Sequence, residues 1–312
     1  MGILYIVSTE EAAGKTAICA GLARNYLNEG KKVGYLKPHA ADKDSADGDI
    51  TFMKQMLGIA DIVNAPDIIN GRDIVLVEAM LGASSDDSVS IDTYGAVKEM
   101  KARAIAVESY TGQPSGFTDV YKGLGDSFLG VIVNKVPESQ LQRVRDEVTA
   151  RFNTAGIKVL GVIPENRVLL AITVSELAES IRGKILNNAD KSGELVENFM
   201  LGAMVVDSGL DYFARKTNKA ALVRQDRPDM QLAALETQTK CLVLCGSTEA
   251  PLYNVLQKAE SRGIPIVATE TAASDVVSLI EDTLLGNRFN QEMKLSKLAE
   301  IVKKNLDINS VV

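Results

Sequence analysis

The sequence predicts an α/β protein built on a parallel sheet. Short, almost continuous apolar segments recur along the first 180 or so residues, and segments with helical periodicity separate them. This alternation is typical of parallel strands covered by helices on both faces. A polar loop that ends in Gly14-Lys15-Thr16 joins the first strand to the first helix. We expect a second, smaller α/β domain to follow.

The first part of the chain predicts six strands with helices between them. Gly30 ends the first helix, Pro38 ends the second strand and Pro164 ends the sixth, because glycine and proline interrupt regular structure in these ways. Helices are predicted at residues 49–57, 91–100 and 141–153. The strands are predicted at residues 3–7, 33–36, 74–79, 102–108, 128–134 and 159–163.

A polar, irregular stretch predicts the boundary between two domains. We expect a first domain at residues 1–183, a linker at 184–198 and a second domain at 199–312. The second domain is predicted to hold strands at 220–223, 241–244 and 266–268. Its helices are predicted at 229–236, 251–261, 274–284 and 291–305, the last with a charged, solvated face.

The composition excludes several classes of protein. The formal net charge of −7 disfavours a nucleic-acid partner. No apolar segment approaches the roughly 20 residues that span a membrane. The sequence lacks a signal peptide, so we expect a cytoplasmic protein. Three cysteines argue against a disulfide framework, and the single histidine, His39, excludes a His-rich zinc site.

The loop after the first strand predicts a phosphate site. The first amides of a helix lack internal partners and the helix dipole is positive there, so an anion binds favourably. Lys15 can reach the β- and γ-phosphates, and the Thr16 hydroxyl suits Mg²⁺. Position 9 is Thr9 where a strict P-loop has glycine, and the alternative is a strand-to-helix turn with a surface lysine. The predicted nucleotide-binding residues here are Thr9, Glu10, Glu11, Ala12, Ala13, Gly14, Lys15, Thr16 and Ala17.

Polar residues at or beyond the ends of later strands predict the rest of the site, because ligands bind outside the carboxyl ends of such strands. Thr16, Asp49 and Glu78 would form the oxygen ligands that Mg²⁺ takes beside a nucleotide. The alternative for Asp49 is a plain helix cap. Lys37 could equally be a surface lysine, and Asn134 an ordinary turn residue.

These motifs, taken in order, resemble a known family. The P-loop region, Lys37-Pro38, Asp49, LVEAM, GVIVNKV and GVIPENRVL resemble the dethiobiotin synthetase-like branch of P-loop NTPases. The likeness is closer to the N-terminal region of long-form phosphotransacetylases. LGAM at 201–204 and RQDRPDMQLAAL at 224–235 resemble the DRTGG domain that follows that region in those proteins.

The resemblance implies a function and roles for these residues. Lys15 and Lys37 would be the catalytic cations, Asn134 would contact the adenine of ATP, and Thr16, Asp49 and Glu78 would hold Mg²⁺. The DRTGG-like domain would sense a small-molecule ligand, whose identity the sequence does not give. The resemblance also implies a homodimer.

Departures from the family pattern leave three functions open. A glycine-rich loop usually follows the acidic strand end, and here the chain reads VEAMLGASSDDS. Pro228 interrupts the DRTGG motif and removes a backbone donor. The first function is an ATP·Mg²⁺-binding regulatory protein with slow hydrolysis or none. The second is an ATP-dependent ligase that activates a carboxylate or carbamate. The third is a scaffold with a decayed nucleotide site.

Overall fold

The computed structural model describes residues 2–38, 48–59, 71–81, 93–110, 118–203, 209–286, 289 and 291–311. It confirms the predicted α/β class with a parallel sheet. The chain divides into two compact units, the first formed by residues 1–166 with 289–312 and the second by residues 167–288.

The strands of both units are numbered in chain order. They are β1 (Gly2–Ser8), β2 (Val33–Leu36), β3 (Ile74–Met80), β4 (Arg103–Ser109), β5 (Phe128–Val136), β6 (Val159–Pro164), β7 (Ile172–Thr173), β8 (Lys184–Ile185), β9 (Leu195–Val196), β10 (Asn198–Leu201), β11 (Lys219–Arg224), β12 (Thr239–Cys245) and β13 (Ile266–Thr269).

The α-helices of the described residues are numbered in the same way. They are α1 (Lys15–Asn28), α2 (Gly48–Leu57), α3 (Thr93–Glu99), α4 (Thr118–Lys122), α5 (Leu141–Thr154), α6 (Arg167–Leu170), α7 (Val174–Ser180), α8 (Gly209–Phe213), α9 (Pro228–Glu236), α10 (Tyr253–Arg262), α11 (Ala273–Gly286) and α12 (Leu295–Asn305). No helix among the described residues is long and apolar enough to cross a membrane.

The first unit is organised around one parallel sheet in the order β2-β3-β1-β4-β5-β6. The chain fills one half of this sheet with β1 to β3 and the other half with β4 to β6. The adjacent strands β1 and β4 therefore mark the point where the direction of winding reverses. Ligands of open α/β sheets bind at the carboxyl ends of such a pair, and the Gly14-Lys15-Thr16 loop follows β1.

The C-terminal helix packs in the first unit, which differs from the predicted domain boundary. The amide of Asn25 on α1 donates to the carbonyls of Gly21 and Ala299, at 2.8 and 3.0 Å. An isolated antiparallel bridge also joins Gly161 of β6 to Leu306. The amphipathic pattern of residues 291–305 indicates a helix with one apolar face, but the pattern does not identify the partner that covers that face.

The predicted linker also differs from what the structure shows, because residues 184–198 form part of the second unit. They contain β8, β9 and the first residue of β10. The side chain of Asn187 accepts a hydrogen bond from the Ile266 amide at 2.7 Å, and Glu194 pairs with Lys240 at 2.7 Å. The polar character of this stretch thus reflects side chains that bond neighbouring elements.

The second unit holds a sheet in the order β10-β11-β12-β13-β8. In this sheet β8 pairs antiparallel with β13, and the other described pairs are parallel. Alternate residues of its strands face two apolar clusters, as the pleat requires. Leu242 and Leu244 pack with Phe213 on one face, while Val243 packs with Val276 on the other. Cys19, Cys241 and Cys245 are all buried and unbridged.

Candidate functional site

The loop between β1 and α1 contains two residues with left-handed backbone conformations. Ala12 has φ +53° and Gly14 has φ +94°, both in the left-handed region. Residues that alternate between the left- and right-handed regions turn successive N–H groups toward one concave face, which attracts anions. A left-handed alanine costs about 1–2 kcal/mol, so neighbouring contacts must hold Ala12 in this conformation. The loop therefore turns through two left-handed residues although Thr9 replaces a glycine.

Gly14 is required by its conformation and also by its surroundings. A Cβ on this residue would lie 2.2 Å from the Asn134 side-chain nitrogen, which is closer than real atoms approach. That nitrogen donates to the carbonyl of Ala13 at 2.9 Å. Asn134 is buried. The predicted residue at the end of β5 thus lies directly against the predicted loop.

Lys15 begins α1 and its side chain is largely enclosed. Only 7% of the residue is exposed, and its ammonium donates to the carbonyl of Glu10 at 3.3 Å. Burial lowers the pKa of Lys15, and the negative charge of Glu78 opposes that effect. A buried ammonium is electrostatically costly. An anion beside Lys15 would therefore be stabilised more than an anion beside a solvated lysine.

Thr16, Asp49 and Glu78 converge, as the sequence predicted. The Thr16 hydroxyl lies 3.0 and 3.1 Å from the two carboxylate oxygens of Glu78 and 3.3 Å from the nearer oxygen of Asp49. Asp49 lies in the first turn of α2, and Glu78 lies near the end of β3. Both residues are buried, with 8% of Asp49 and 5% of Glu78 exposed.

Two further groups hold these carboxylates in place. Lys37 pairs with Asp49 at 2.7 Å, so the predicted cation also belongs to this cluster. The hydroxyl of Tyr35 donates to Glu78 at 2.8 Å. Burial, chiefly, raises the pKa of Tyr35 above its ordinary range, so this hydroxyl keeps its proton and donates it to the carboxylate.

The donor set fits a magnesium ion that binds together with phosphate. Thr16, Asp49 and Glu78 offer oxygen ligands, and Mg²⁺ usually takes one or two carboxylates and completes its octahedron with phosphate and water. Among the residues that the structure describes, no group of three or more His, Cys, Asp or Glu could hold a metal unaided. Thr16, Asp49 and Glu78 are thus the residues that could hold such a cation.

The remaining loop residues have separate surroundings. The side chain of Glu10 turns to β4 and accepts a hydrogen bond from the Ser109 amide at 2.7 Å, which ties the loop across the junction of β1 and β4. Thr9 lies beside the Tyr121 hydroxyl. Glu11 is exposed and Ala17 is half-buried. The extra negative charge of Glu11 therefore lies at the surface.

A cleft opens beside the carboxylate cluster, between β2 and α2. Its walls combine two lysines with apolar side chains and one tyrosine, so a small anion with an aliphatic part would match it chemically. The lining residues are Tyr35, Leu36, Lys37, Ile50, Lys54, Leu57 and Ile59.

The DRTGG-like turn in the second unit is paired internally. Arg227 forms a bidentate pair with Asp229, at 2.9 and 2.7 Å, and Arg224 pairs with Asp226. Pro228 begins α9. Both arginines are therefore paired with carboxylates two residues away.

Sequence reasoning missed several residues of the site. Tyr35 lies within a strand that reads as ordinary core. Lys135 donates to the carbonyl of Ala12 at 2.8 Å, although strand alternation would place it on the opposite face from Asn134. Glu108, at the end of β4, is buried and accepts a hydrogen bond from Tyr121. Its position at a strand end was the one readable signal.

Two protein families match parts of the chain. The family described as "AAA domain" matches residues 3–107. The family described as "DRTGG domain" matches residues 176–283. The first match covers the loop, α1 and the carboxylate cluster, and the second covers most of the second unit.

Curated relatives match across the boundary between these two families. Phosphate acetyltransferase of Pseudomonas putida is 22% identical over 98% of this chain and 51% of its own length. The same enzyme of Nitratidesulfovibrio vulgaris is 20% identical over 84% of this chain and 44% of its own length. The chain thus spans about half the length of the curated relatives it matches.

Solved structures are similar only at a low level. The MinD cell division protein of Aquifex aeolicus is 16% identical, with a TM-score of 0.38, over 55% of this chain and 84% of that one. A likeness of this size supports no argument about function. The family matches and the curated relatives agree with each other: one part of the chain matches the AAA-domain family, a later part matches the DRTGG-domain family, and the chain is similar to about half the length of these phosphate acetyltransferases.

Proposed function

We propose that the first unit binds ATP with Mg²⁺ and that the second unit senses a small-molecule ligand, so that the chain acts as a regulatory protein. The observation that carries the proposal is the position of Thr16. Its hydroxyl lies within hydrogen-bond distance of both Asp49 and Glu78 at the start of the helix that follows the anion-binding loop. Two buried carboxylates around one hydroxyl repel each other; the Lys37 ammonium, 2.7 Å from Asp49, offsets part of this repulsion, and a bound Mg²⁺ would offset more of it.

In this proposal each part of the site has a separate task. The loop amides and Lys15 would bind the phosphates, and Thr16, Asp49 and Glu78 would hold the metal. Bound Mg²⁺ supplies positive charge that neutralises the phosphate oxygens. Lys37 would orient Asp49 through their 2.7 Å ion pair, and Asn134 would contact the adenine base from beside the loop.

Calorimetry with ATP and Mg²⁺ tests the nucleotide site. We expect saturable binding to the wild type and no measurable binding to Lys15→Ala, since this variant removes the buried ammonium. Lys98 is an exposed lysine on α3, and Lys98→Ala is the control with the same change of charge. Equal affinity of Lys15→Ala and the wild type would remove the P-loop assignment.

A second candidate function is an ATP-dependent ligase that activates a carboxylate or carbamate. The cleft with Lys37 and Lys54 favours it, because an anionic acceptor could lie there beside the phosphates. Catalysis would then consist of positioning and charge neutralisation. ADP release should be measured with and without a panel of small amines and carboxylates. Stimulated release selects the ligase, and tight ATP binding without release selects the regulator.

A decayed scaffold is the third candidate, and the wild type would then bind no ATP in the same calorimetry. The proposed homodimer is tested separately by analytical ultracentrifugation with and without ATP and Mg²⁺. A shift from one mass to twice that mass supports dimerisation. A single monomeric species under both conditions would contradict it.

A further inference from the structure

Strand β5 carries an irregularity next to the loop. Lys135 has φ +59°, in the left-handed region, and the pairing of β5 with β6 shifts register between Val133 and Val136. Neighbouring side chains of a regular strand point to opposite faces. Bulges of this kind turn a side chain into a new direction and occur beside functional sites.

The irregularity lets two successive side chains reach the same loop. Lys135 donates its ammonium to the Ala12 carbonyl at 2.8 Å, and Asn134 donates its amide to the Ala13 carbonyl at 2.9 Å. The two acceptors are themselves consecutive. A regular strand would point these two side chains to opposite faces. The left-handed conformation of Lys135 therefore allows both donors to reach the loop.

These two carbonyls matter for the orientation of the loop amides. When a turn presents its N–H groups to an anion, its carbonyl oxygens point elsewhere and accept hydrogen bonds from side chains or water. Ala12 is held in a left-handed conformation that alanine disfavours. The bond from Lys135 satisfies the carbonyl of that same residue.

We propose that Lys135 is a positioning residue for the phosphates, which fixes the Ala12 peptide so that the loop is shaped for an anion before the nucleotide binds. This inference rests on the proposed nucleotide site. Lys135 acts through the loop in this account and touches neither the base nor the phosphates. Its loss should therefore weaken binding of any ligand that the loop holds, with or without a base.

The test compares two ligands, ATP and inorganic pyrophosphate, each with Mg²⁺, by displacement of a fluorescent ATP analogue. Lys135→Met should lower the affinity for both ligands by about tenfold, or 1.4 kcal/mol. Lys135→Arg keeps a cationic donor and should recover part of the loss. Lys122 on α4 pairs with Asp119 at the surface, and Lys122→Met is the control for the change in net charge. Thermal denaturation should show the same melting temperature for all variants.

Several results would overturn the inference. Lys135→Met could bind both ligands as the wild type does. It could lose ATP affinity but keep pyrophosphate affinity, which would assign Lys135 to the base. Lys122→Met could lose as much affinity, which would make the effect one of net charge. A wild type that binds neither ligand would instead reject the nucleotide site itself, so the two failures are distinguishable.

Discussion

Gly21 on α1 lies against Val302 on α12. A Cβ on Gly21 would come within 2.6 Å of the Val302 Cγ2 atom. The helix that begins with Lys15 and Thr16 therefore packs closely on a helix about 280 residues later in the chain. Because α1 carries Lys15 and Thr16, the candidate nucleotide site depends on this contact.

Gly21→Val should destabilise the first unit by about 1–3 kcal/mol, as overpacked cores do. The midpoint of chemical denaturation measures this effect. In a Val302→Ala background the added side chain finds space, so the same substitution should cost less. If Gly21→Val lowers the stability equally in both backgrounds, the contact between Gly21 and Val302 does not restrict the packing of α1.

Gly14→Ala should abolish ATP binding, because the new Cβ would collide with the Asn134 side chain at 2.2 Å. The matched control is Gly30→Ala. Gly30 has φ +77° and no atom within 4 Å of its missing Cβ, so this variant carries the left-handed strain without the collision. We expect both variants to lose stability and only Gly14→Ala to lose affinity in calorimetry. A Gly14→Ala variant with wild-type affinity would contradict the packing described.

Tyr35→Phe should raise the Mg²⁺ concentration needed for ATP binding several-fold, because Glu78 loses the donor that orients it. A hydrogen bond to a charged group contributes about 1.5–3 kcal/mol. Tyr26→Phe is the control, since Tyr26 is also buried but bonds the Ile308 carbonyl at 3.4 Å. If both variants titrate with Mg²⁺ as the wild type does, the Tyr35 hydroxyl has no part in the metal site.

Lys219 should make the stability of the second unit depend on pH. It is fully buried, and among the described residues its ammonium donates to neutral acceptors, namely the carbonyls of Lys216 and Gln238 and the Thr237 hydroxyl. Burial lowers its pKa from 10.5 to about 8. Between these values the unfolded chain holds the proton and the folded chain releases it, so the free energy of unfolding rises with pH across this window.

Denaturation of the wild type and Lys219→Met at pH 7.5, 8.5 and 9.5, values chosen from that pKa, checks this prediction. The stability of the wild type relative to the variant should increase at each step. Other titrating groups are common to both proteins and cancel in the difference. Parallel pH curves would show that Lys219 does not titrate in this range.

The sequence was sufficient to predict the sheet and the cluster of Thr16, Asp49 and Glu78. Buried parallel strands read as apolar segments, and the topology of such a sheet brings polar strand ends to one edge. The position of Asn134 near the loop followed from the same strand-end argument, whereas its contact with adenine stays a prediction from the family resemblance. The presence of Thr9 in place of glycine was a poor guide to the shape of the loop, because Ala12 and Gly14 form the turn without a glycine at position 9.

Other features depended on contacts that the sequence pattern does not encode. The helical spacing of Leu295, Leu298 and Val302 indicates a helix with a buried face, but it does not identify the element that covers that face. The partner surface contains Gly21, whose role is visible only in three dimensions. Lys135 was missed because strand alternation assigns it to the wrong face, and a bulge reverses that assignment.

The central claim is that Glu78 and its neighbours hold a magnesium ion that binds with ATP. Calorimetric titration of ATP at increasing Mg²⁺ concentrations, into the wild type and Glu78→Gln, tests it most directly. We predict that Mg²⁺ strengthens ATP binding to the wild type and that Glu78→Gln loses most of this dependence while its fold is retained. Identical Mg²⁺ dependence in the two proteins would contradict the account.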